Sequence, residues 1–342
     1  MLFANPWRLA LLFVVSGYAS RALFARRPDP AAFAWQRSVR LLVPLAFGIA
    51  VIVPPQPWIE LSTKYGYHQS FGWFWWHDYF RFGKLGPLDL PTWNHLWFVG
   101  YLWVYTMALT LAVALMPARA RAACQRGFAF AFRGPALLLL PIGWMVLVNF
   151  RLFPGGRETH ALIGDWVAHF SYFPAFLFGF ALAGAPDTLA ALVRRWRESA
   201  AIALLSFALV AGIEIRWPGN TMPWPWGIVF SVARAVEGWA AVAALIGFAD
   251  RHWNRDHPWR RTLTEAVFPF YIIHQTIIVV AGHYLARLGL PLAAEGALLV
   301  LVTVAGCLLA AVAARDGGQS CDCDEGSDDE QTFHFDLFHR AG

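Results

Sequence analysis

The chain has 342 residues, of which 58% are hydrophobic and only 14% charged, with a formal net charge of +5. A soluble domain is nearer half apolar and a quarter charged, so this composition excludes a soluble enzyme and predicts an all-α, polytopic membrane protein. The positive charge is almost all arginine in short clusters between apolar runs, which argues against a nucleic-acid-binding surface.

Nine apolar stretches approach the roughly 20 residues that a helix needs to cross the hydrocarbon core of a bilayer. The predicted spans are residues 8–24, 40–56, 94–116, 134–152, 161–184, 199–215, 224–249, 266–287 and 289–313. Loops rich in arginine alternate with loops that contain few basic residues. The Arg-rich loops are residues 21–40, 117–133, 185–198 and 250–265. The positive-inside rule assigns them to the cytoplasm, together with the C-terminus, and puts the N-terminus outside.

The loop at residues 57–93 is rich in aromatic side chains and includes the run FGWFWWHDYF. Tryptophan and tyrosine favour the headgroup layer, so we expect part of this loop to form a re-entrant or interfacial segment. A surface on which a sugar ring stacks is the alternative interpretation.

The composition changes at Arg315, after which acidic residues are interspersed with glycine and serine. Such a segment cannot bury a core and is expected to be disordered. The sequence therefore predicts a membrane domain over residues 1–314 and an acidic cytoplasmic tail over residues 315–342. Two of the four cysteines share this tail, with no second pair to complete a zinc site, so no metal is expected.

Two arginines, Arg37 and Arg40, are one helical turn apart at the expected cytoplasmic end of the second span. Two guanidinium groups on one helix face are suited to binding phosphates. Arginines at such a helix end also obey the positive-inside rule and contact lipid phosphate. The spacing alone does not separate these two interpretations.

Asn94 and His95 begin the third span. An imidazole at this position can act as a general base or bind a hydroxyl group. The alternative is that the two residues only cap the helix and anchor it at the interface.

Arg234 and Glu237 lie inside the seventh span, three residues apart. Charges at that depth are costly and normally pair with each other or face a cavity. An intrahelical ion pair and a cavity site are therefore both expected possibilities.

The eighth span contains the most informative polar group. The run FPFYIIHQTIIVVAGHYL at residues 268–285 includes Tyr271, His274 and Gln275 on neighbouring turns, with His283 closer to its end. Hydrocarbon supplies no hydrogen bonds, so an imidazole and an amide there need protein partners or a polar cavity. These residues are candidates for a site, and hydrogen bonding between helices is the alternative. His169, in WVAHFSYF, is a further candidate of this kind.

No nucleotide-binding loop, HExxH motif or GxSxG motif stands out in the chain. An ordered set of segments instead resembles the acyltransferase 3 family of integral membrane acyltransferases, and within it the glucan biosynthesis protein C group. The segments are FVVSGYASRALFARR (13–27), RSVRLLVP (37–44), NHLWFVGYLWVY (94–105), ARAVEGWAAVAALIGFADRHWN (233–254) and AVFPFYIIHQTIIVV (266–280).

The resemblance implies transfer of an acetyl or succinyl group from cytoplasmic acyl-CoA to a hydroxyl of a sugar or glycan. Acyl-CoA would be a co-substrate, and no bound cofactor is expected. Arg37 and Arg40 match the family's RxxR motif, for which a role in holding the donor is proposed. The resemblance therefore favours the phosphate-binding interpretation of this pair.

The family usually has ten core helices, and the first carries an arginine followed eleven residues later by the expected catalytic histidine. No Arg–x10–His pair occurs in this chain, and its resemblance starts at the family's second helix. We therefore expect the first family helix to be missing and the membrane domain to be incomplete at its N-terminus.

Together these features predict a multi-pass acyltransferase of the bacterial inner membrane, whose partners are acyl-CoA, a glycan acceptor and membrane lipid. A non-catalytic or truncated relative that transports glycans or lipids on the same scaffold is the alternative. The predicted site residues are His274, Gln275 and His95 as catalytic candidates, Arg37 and Arg40 for the donor, and Tyr271, Arg234 and Glu237 around a cavity.

Overall fold

The structure is a computed structural model that describes residues 5–26, 28–255 and 257–321. The helices in chain order are α1 (Asn5–Arg26), α2 (Pro30–Phe47), α3 (Pro55–Lys64), α4 (Phe71–Trp73), α5 (Trp97–Leu115), α6 (Ala118–Ala131), α7 (Ala136–Leu147), α8 (Trp166–Leu182), α9 (Pro186–Arg216), α10 (Trp224–Trp253), α11 (Trp259–Leu285) and α12 (Leu292–Cys321). Strands β1 (Gly83–Leu85) and β2 (Leu88–Leu90) pair as an antiparallel hairpin. Short π-helical turns occupy Gly48–Ile52, Phe74–Asp78 and Val148–Leu152.

Seven helical segments within these described ranges are long and apolar enough to cross a bilayer. They are Asn5–Arg26, Pro30–Lys64, Asn94–Leu115, Pro186–Arg216, Trp224–Trp253, Thr262–Leu288 and Leu292–Ala310. They coincide with seven of the nine predicted spans, and the fold is the all-α, polytopic helix bundle that the composition predicts.

The other two predicted spans differ from single full-length helices. The span predicted at 134–152 is one arm of a helix pair, Ala118–Ala131 and Ala136–Leu152, which is bent by 99°. The bend falls at Gly134 and Pro135, where Gly134 has a φ of +58° and the helix cannot continue. The span predicted at 161–184 is the apolar helix α8, which has only 17 residues.

The Arg-rich segments that the sequence predicted as cytoplasmic loops are largely helical. Helix α6 occupies most of residues 117–133, and the first turns of α9 cover most of residues 185–198. Both segments are rich in alanine and arginine, which favour helices even where the hydropathy is too low for a span. The membrane orientation deduced from their charge stays a prediction.

The predicted tail begins within a helix, because α12 continues to Cys321. Residues 322–342 lie outside the described residues. The expected disorder of the acidic segment therefore stays a prediction.

The described residues divide into two compact units. One contains residues 5–26 and 28–37 with Tyr101–Arg255, and the other contains Ser38–Gly100 with residues 257–321. Two of the boundaries between the units fall inside helices α2 and α5.

Glycines allow the helices of the first unit to approach each other closely. A Cβ atom at Gly17 of α1 would overlap the carbonyl oxygen of Phe176 in α8, and one at Gly179 of α8 would overlap that of Val14 in α1. A Cβ atom at Gly247 of α10 would likewise overlap the carbonyl oxygen of Leu192 in α9. Small residues at helix crossings bring backbones together where the membrane supplies no hydrophobic driving force.

We expect Gly17→Ala to destabilise the protein by about 1–3 kcal/mol or more, because backbone atoms cannot move aside as a flexible side chain can. Gly143→Ala in α7 is the matched control, since a Cβ placed there meets no atom within 4 Å other than its chain neighbours and its own helix backbone. Thermal unfolding of the detergent-purified variants measures both effects. Equal unfolding temperatures for Gly17→Ala and Gly143→Ala would contradict this packing.

The predicted aromatic loop of the second unit folds around its own small core. Leu61, Phe74, Tyr79 and Leu90 are buried there. The partly buried residues packed against them are Trp58, Tyr67, Phe71, Trp75, Leu85 and Leu88. Other rings are exposed: Trp73, Trp76, Phe80 and Phe82. These exposed rings could contact either headgroups or a sugar, so both interpretations of the loop stay predictions.

Side chains of this aromatic segment satisfy the carbonyl groups of the π-helical turn Gly48–Ile52. The Tyr79 hydroxyl lies 2.7 Å from the Ile49 carbonyl oxygen, and the Trp75 indole N–H donates to the Ala50 carbonyl at 2.9 Å. Burial raises the pKa of the Tyr79 hydroxyl, which therefore keeps the proton that it donates. A wide turn that leaves carbonyls without their regular helical partners is stable here because these donors reach it.

Candidate functional site

Two histidines of the second unit, His95 and His274, lie against each other. Their ring centroids are 5.3 Å apart, with the planes at 84°. His95 lies in the helical turn Asn94–Leu96 before α5, and His274 lies in the middle of α11. Tyr271, one turn before His274, donates its hydroxyl hydrogen to the backbone carbonyl of His95. The structure thus brings together three of the predicted site residues.

Backbone carbonyls define which nitrogen of each imidazole carries hydrogen. His274 Nδ1 lies 2.7 Å from the Tyr271 carbonyl oxygen and 3.2 Å from that of Phe270. His95 Nε2 lies 3.0 Å from the carbonyl oxygen of Ile272. A carbonyl oxygen only accepts hydrogen bonds, so each of these nitrogens is the donor. In a neutral ring, the lone pairs are then on His274 Nε2 and His95 Nδ1.

These two acceptor nitrogens make no hydrogen bond with any residue that the structure describes. His95 Nδ1 is buried without a partner. His274 is half-buried, and both carbonyl contacts of its ring involve Nδ1. An imidazole in which one nitrogen donates a hydrogen bond to the backbone, while the other has no partner, is arranged as a general base.

A chain of polar side chains in the second unit supports His95. Asn94 donates its amide to Gln56 Oε1 at 3.0 Å, and Gln56 donates to the Thr276 hydroxyl at 2.7 Å. Thr276 in turn donates to the Ile52 carbonyl at 2.8 Å. Asn94 has a φ of +40°, a conformation that asparagine tolerates better than most residues. The network therefore joins α3 and α11 to the turn that contains His95.

The other predicted residues of α11 have different surroundings. Gln275 is half-buried and makes no hydrogen bond within the described part of the chain. His283 contacts Arg287, with 2.7 Å between His283 Nε2 and an arginine nitrogen. His283 is thus hydrogen-bonded to Arg287 at the end of the helix, whereas the Gln275 amide is available to bind a ligand.

The first unit contains a cavity of about 860 Å³. It is lined by residues of α1, α7, α8 and α10 and by the loop after α7, and the predicted residue Arg234 is among them. The polar and aromatic lining includes Asn149, Arg157, Glu158, Ser171, Tyr172, Trp144 and Trp239. The Tyr172 hydroxyl donates to Glu158 Oε1 at 2.7 Å.

Arg234 and Glu237 do not form the intrahelical ion pair that their spacing allows. The Arg234 guanidinium lies over the Phe230 ring, 5.7 Å from its centroid. Glu237 is fully buried, and neither carboxyl oxygen has a hydrogen-bond partner among the described residues. The two side chains therefore form no ion pair within 4 Å: Arg234 lines the cavity, while Glu237 is enclosed between helices. Tyr271, the third predicted cavity residue, belongs to the other unit.

The loop that carries Arg157 and Glu158 is attached to the helices by Asp165. This carboxylate is 2% exposed and begins α8 as its N-cap, accepting from the Ala168 N–H at 3.1 Å. Its other oxygen accepts from the backbone N–H of Thr159 and His160 and from the Tyr101 hydroxyl, at 3.1, 2.7 and 3.0 Å. Hydrogen bonds to a buried carboxylate are among the strong ones in proteins.

His169, in the same region, is held by hydrogen bonds at both ring nitrogens. Its Nε2 lies 2.9 Å from the Leu162 carbonyl, and its Nδ1 lies 3.1 Å from the Tyr105 hydroxyl. Both ring nitrogens are therefore occupied. This arrangement supports the hydrogen-bonding interpretation of His169 over a catalytic one.

We expect Asp165→Ala to destabilise the first unit by about 3 kcal/mol or more, because several buried donors would lose their acceptor at once. Asp89→Ala, at an exposed position of β2, is the control and should change stability by less than about 1 kcal/mol. Thermal unfolding in detergent measures both variants. An Asp165→Ala protein as stable as the control would contradict the role of the carboxylate in holding the loop.

The predicted donor-binding residues Arg37 and Arg40 both lie in helix α2, three residues apart. Arg37 is half-buried and Arg40 is exposed. The helix therefore continues through both positions, as the one-turn spacing requires.

The family model described as an acyltransferase domain, of the acyltransferase 3 type, matches residues 1–312. No curated protein and no solved structure gives a significant match. The family match covers all the described spans and the residues of both sites. The chain therefore belongs to the acyltransferase 3 family of membrane acyltransferases.

Proposed function

We propose that this protein transfers an acetyl or succinyl group from acyl-CoA to a hydroxyl of a sugar or glycan. The family membership supports acyl transfer in general. The observation that carries the proposal is His274, whose Nδ1 faces two backbone carbonyls and whose Nε2 is unoccupied within the described chain. A hydroxyl acceptor needs a base of this kind, because an alcohol is a weak nucleophile while it retains its proton.

In the proposed reaction, His274 Nε2 accepts the proton of the acceptor hydroxyl. The hydroxyl oxygen attacks the thioester carbonyl, the new carbon–oxygen bond forms, and the carbon–sulfur bond breaks. The coenzyme A sulfur leaves as a thiolate and takes the proton from His274, so that the imidazole returns to its neutral form. The products are an O-acyl ester and free coenzyme A.

The other predicted residues have supporting roles in this proposal. His95 packs against the His274 ring, and Tyr271 holds the His95 backbone. Gln275, the next residue of α11, would orient the acceptor through its amide. Arg37 and Arg40 would bind the phosphates of the donor, for which planar guanidinium groups are well suited.

The test uses membranes that contain the protein and are supplied with acetyl- or succinyl-CoA labelled in the acyl group. We expect label in the glycan fraction that is released by mild alkali, as an ester is. Membranes without the protein are the control. Absence of label from any glycan, together with glycan or lipid movement in a transport assay, would overturn the proposal in favour of a non-catalytic relative.

A further inference from the structure

The cavity of the first unit has a polar end and an apolar end. Asn149, Arg157 and Glu158 line it where α7 ends and the next loop begins, whereas Leu140 lies more than two turns earlier in α7. Along α8 the lining residues extend from Val167 to Phe178. At a rise of 1.5 Å per residue, this distance is about 16 Å.

The charged side chains that line the cavity are more positive than negative. Two guanidinium groups, of Arg157 and Arg234, line the cavity against one carboxylate, that of Glu158. Neither arginine forms an ion pair with a described carboxylate within 4 Å. Glu158 is engaged by the Tyr172 hydroxyl and by His160, whose Nε2 lies 3.3 Å from its second oxygen. A cavity lined by more guanidinium than carboxylate groups attracts an anion.

Aromatic side chains pack together at the apolar end. The Phe178 ring packs on Trp239, with centroids 4.9 Å apart, and on Phe132, with centroids 5.1 Å apart. The Trp239 indole N–H donates to the Leu137 carbonyl at 3.1 Å and is not available to a ligand. Leu140 is 47% exposed. Hydrocarbon fits this end, whereas sugar hydroxyls would lose their hydrogen bonds there.

From these two ends we infer that the cavity binds a lipid with an anionic phosphate headgroup. The phosphate binds the guanidinium groups of Arg157 and Arg234, and the hydrocarbon chain extends towards Phe178. A free phosphate would leave the apolar end empty, and a neutral lipid would supply no charge to balance the excess of guanidinium over carboxylate groups in the lining. This inference concerns a site in the first unit and does not depend on the acyl transfer proposed for His274.

Native mass spectrometry of the detergent-purified protein provides the test, with dioleoyl phosphatidylglycerol as the probe. We expect the protein to retain one such lipid per chain at low lipid excess. The double variant Arg157→Gln with Arg234→Gln should weaken retention by about tenfold or more for each arginine. Leu140→Trp, which fills the apolar end, should weaken retention although both arginines remain.

Arg151→Gln is the matched control, because Arg151 precedes the same loop but does not line the cavity. It should retain lipid as the unmodified protein does. Circular dichroism shows whether each variant folds, and Leu140→Trp tests the site if the double variant does not. The inference is overturned by equal retention of dioleoyl phosphatidylcholine, by equal loss in Arg151→Gln, or by unchanged retention in the double variant and in Leu140→Trp.

Two lipid sources share this chemistry: a bilayer phospholipid and a polyprenyl phosphate that carries a sugar. Undecaprenyl phosphate, added in competition with phosphatidylglycerol, distinguishes them. Stronger retention of the polyprenyl phosphate identifies a lipid-linked sugar carrier, and stronger retention of phosphatidylglycerol identifies a bilayer lipid. Acyl transfer is measured in parallel. Acyl transfer without lipid retention would contradict this inference and support the proposed function. Lipid retention without acyl transfer would support this inference and contradict the proposed function.

Discussion

The His274→Asn variant is expected to transfer acyl groups about 10²–10⁴-fold more slowly than the unmodified protein, the range that a positioned general base contributes. Asparagine can still hydrogen-bond to the carbonyls of Tyr271 and Phe270 that His274 Nδ1 contacts, but it has no basic nitrogen. The loss should therefore appear in kcat rather than in stability. Initial rates with labelled acyl-CoA, alongside the unfolding temperature, separate these two effects.

His283→Asn is the control for this variant, because His283 lies in the same helix and is engaged by Arg287. It should keep nearly full activity. A His274→Asn protein as active as the His283→Asn protein would remove His274 from the mechanism. The same measurement on His95→Asn then tests His95 as the base.

The second large effect is expected for Arg37→Ala combined with Arg40→Ala. Each charge-assisted hydrogen bond to a phosphate contributes about 1.5–3 kcal/mol, so losing both should raise the KM for acyl-CoA by at least about 100-fold. Membrane insertion should not change. Arg194→Ala combined with Arg195→Ala, two exposed arginines of α9, is the control and should leave KM nearly unchanged.

A modified donor makes this test more specific. Acyl-dephospho-CoA lacks the ribose phosphate, so the unmodified protein should use it less well than acyl-CoA. The double variant should discriminate less between the two donors if the arginines bind that phosphate. Unchanged KM and unchanged discrimination in the double variant would contradict donor binding by Arg37 and Arg40.

The spans could be predicted because a run of apolar residues is a signal along the chain itself. His274 and Tyr271 were likewise visible as polar groups in hydrocarbon-length segments. Hydropathy also located α7 and α8, although it could not show that α6 and α7 meet at a bend of 99°. The helical character of the Arg-rich segments was missed because hydropathy measures membrane affinity rather than helix propensity.

Contacts between distant residues could not be read from the sequence. Gln56 and Thr276 are hydrogen-bonded although 220 positions separate them, and no local pattern marks either residue. Asp165 is an ordinary helix cap by sequence, yet it accepts from Tyr101, 64 positions away. The Arg234–Glu237 spacing permits an ion pair, but the two side chains point to different surroundings, a choice decided by the packing of neighbouring helices.

The close packing at glycines also could not be predicted from the sequence. Gly17 and Gly143 are indistinguishable by sequence, since both are single glycines in apolar helices. Only Gly17 meets a backbone carbonyl of another helix. The difference comes from the tertiary arrangement of α1 and α8, which requires the absence of a side chain at Gly17.

The most direct test of acyl transfer is the stoichiometry of the reaction in the purified protein. The protein in detergent is mixed with acetyl- or succinyl-CoA and a glycan acceptor, while released thiol and alkali-labile ester are measured together. We expect one thiol to be released for each ester formed, with both signals dependent on the acceptor and both lost in His274→Asn. Thiol release without ester, or ester formation at the full rate in His274→Asn, would contradict acyl transfer by His274.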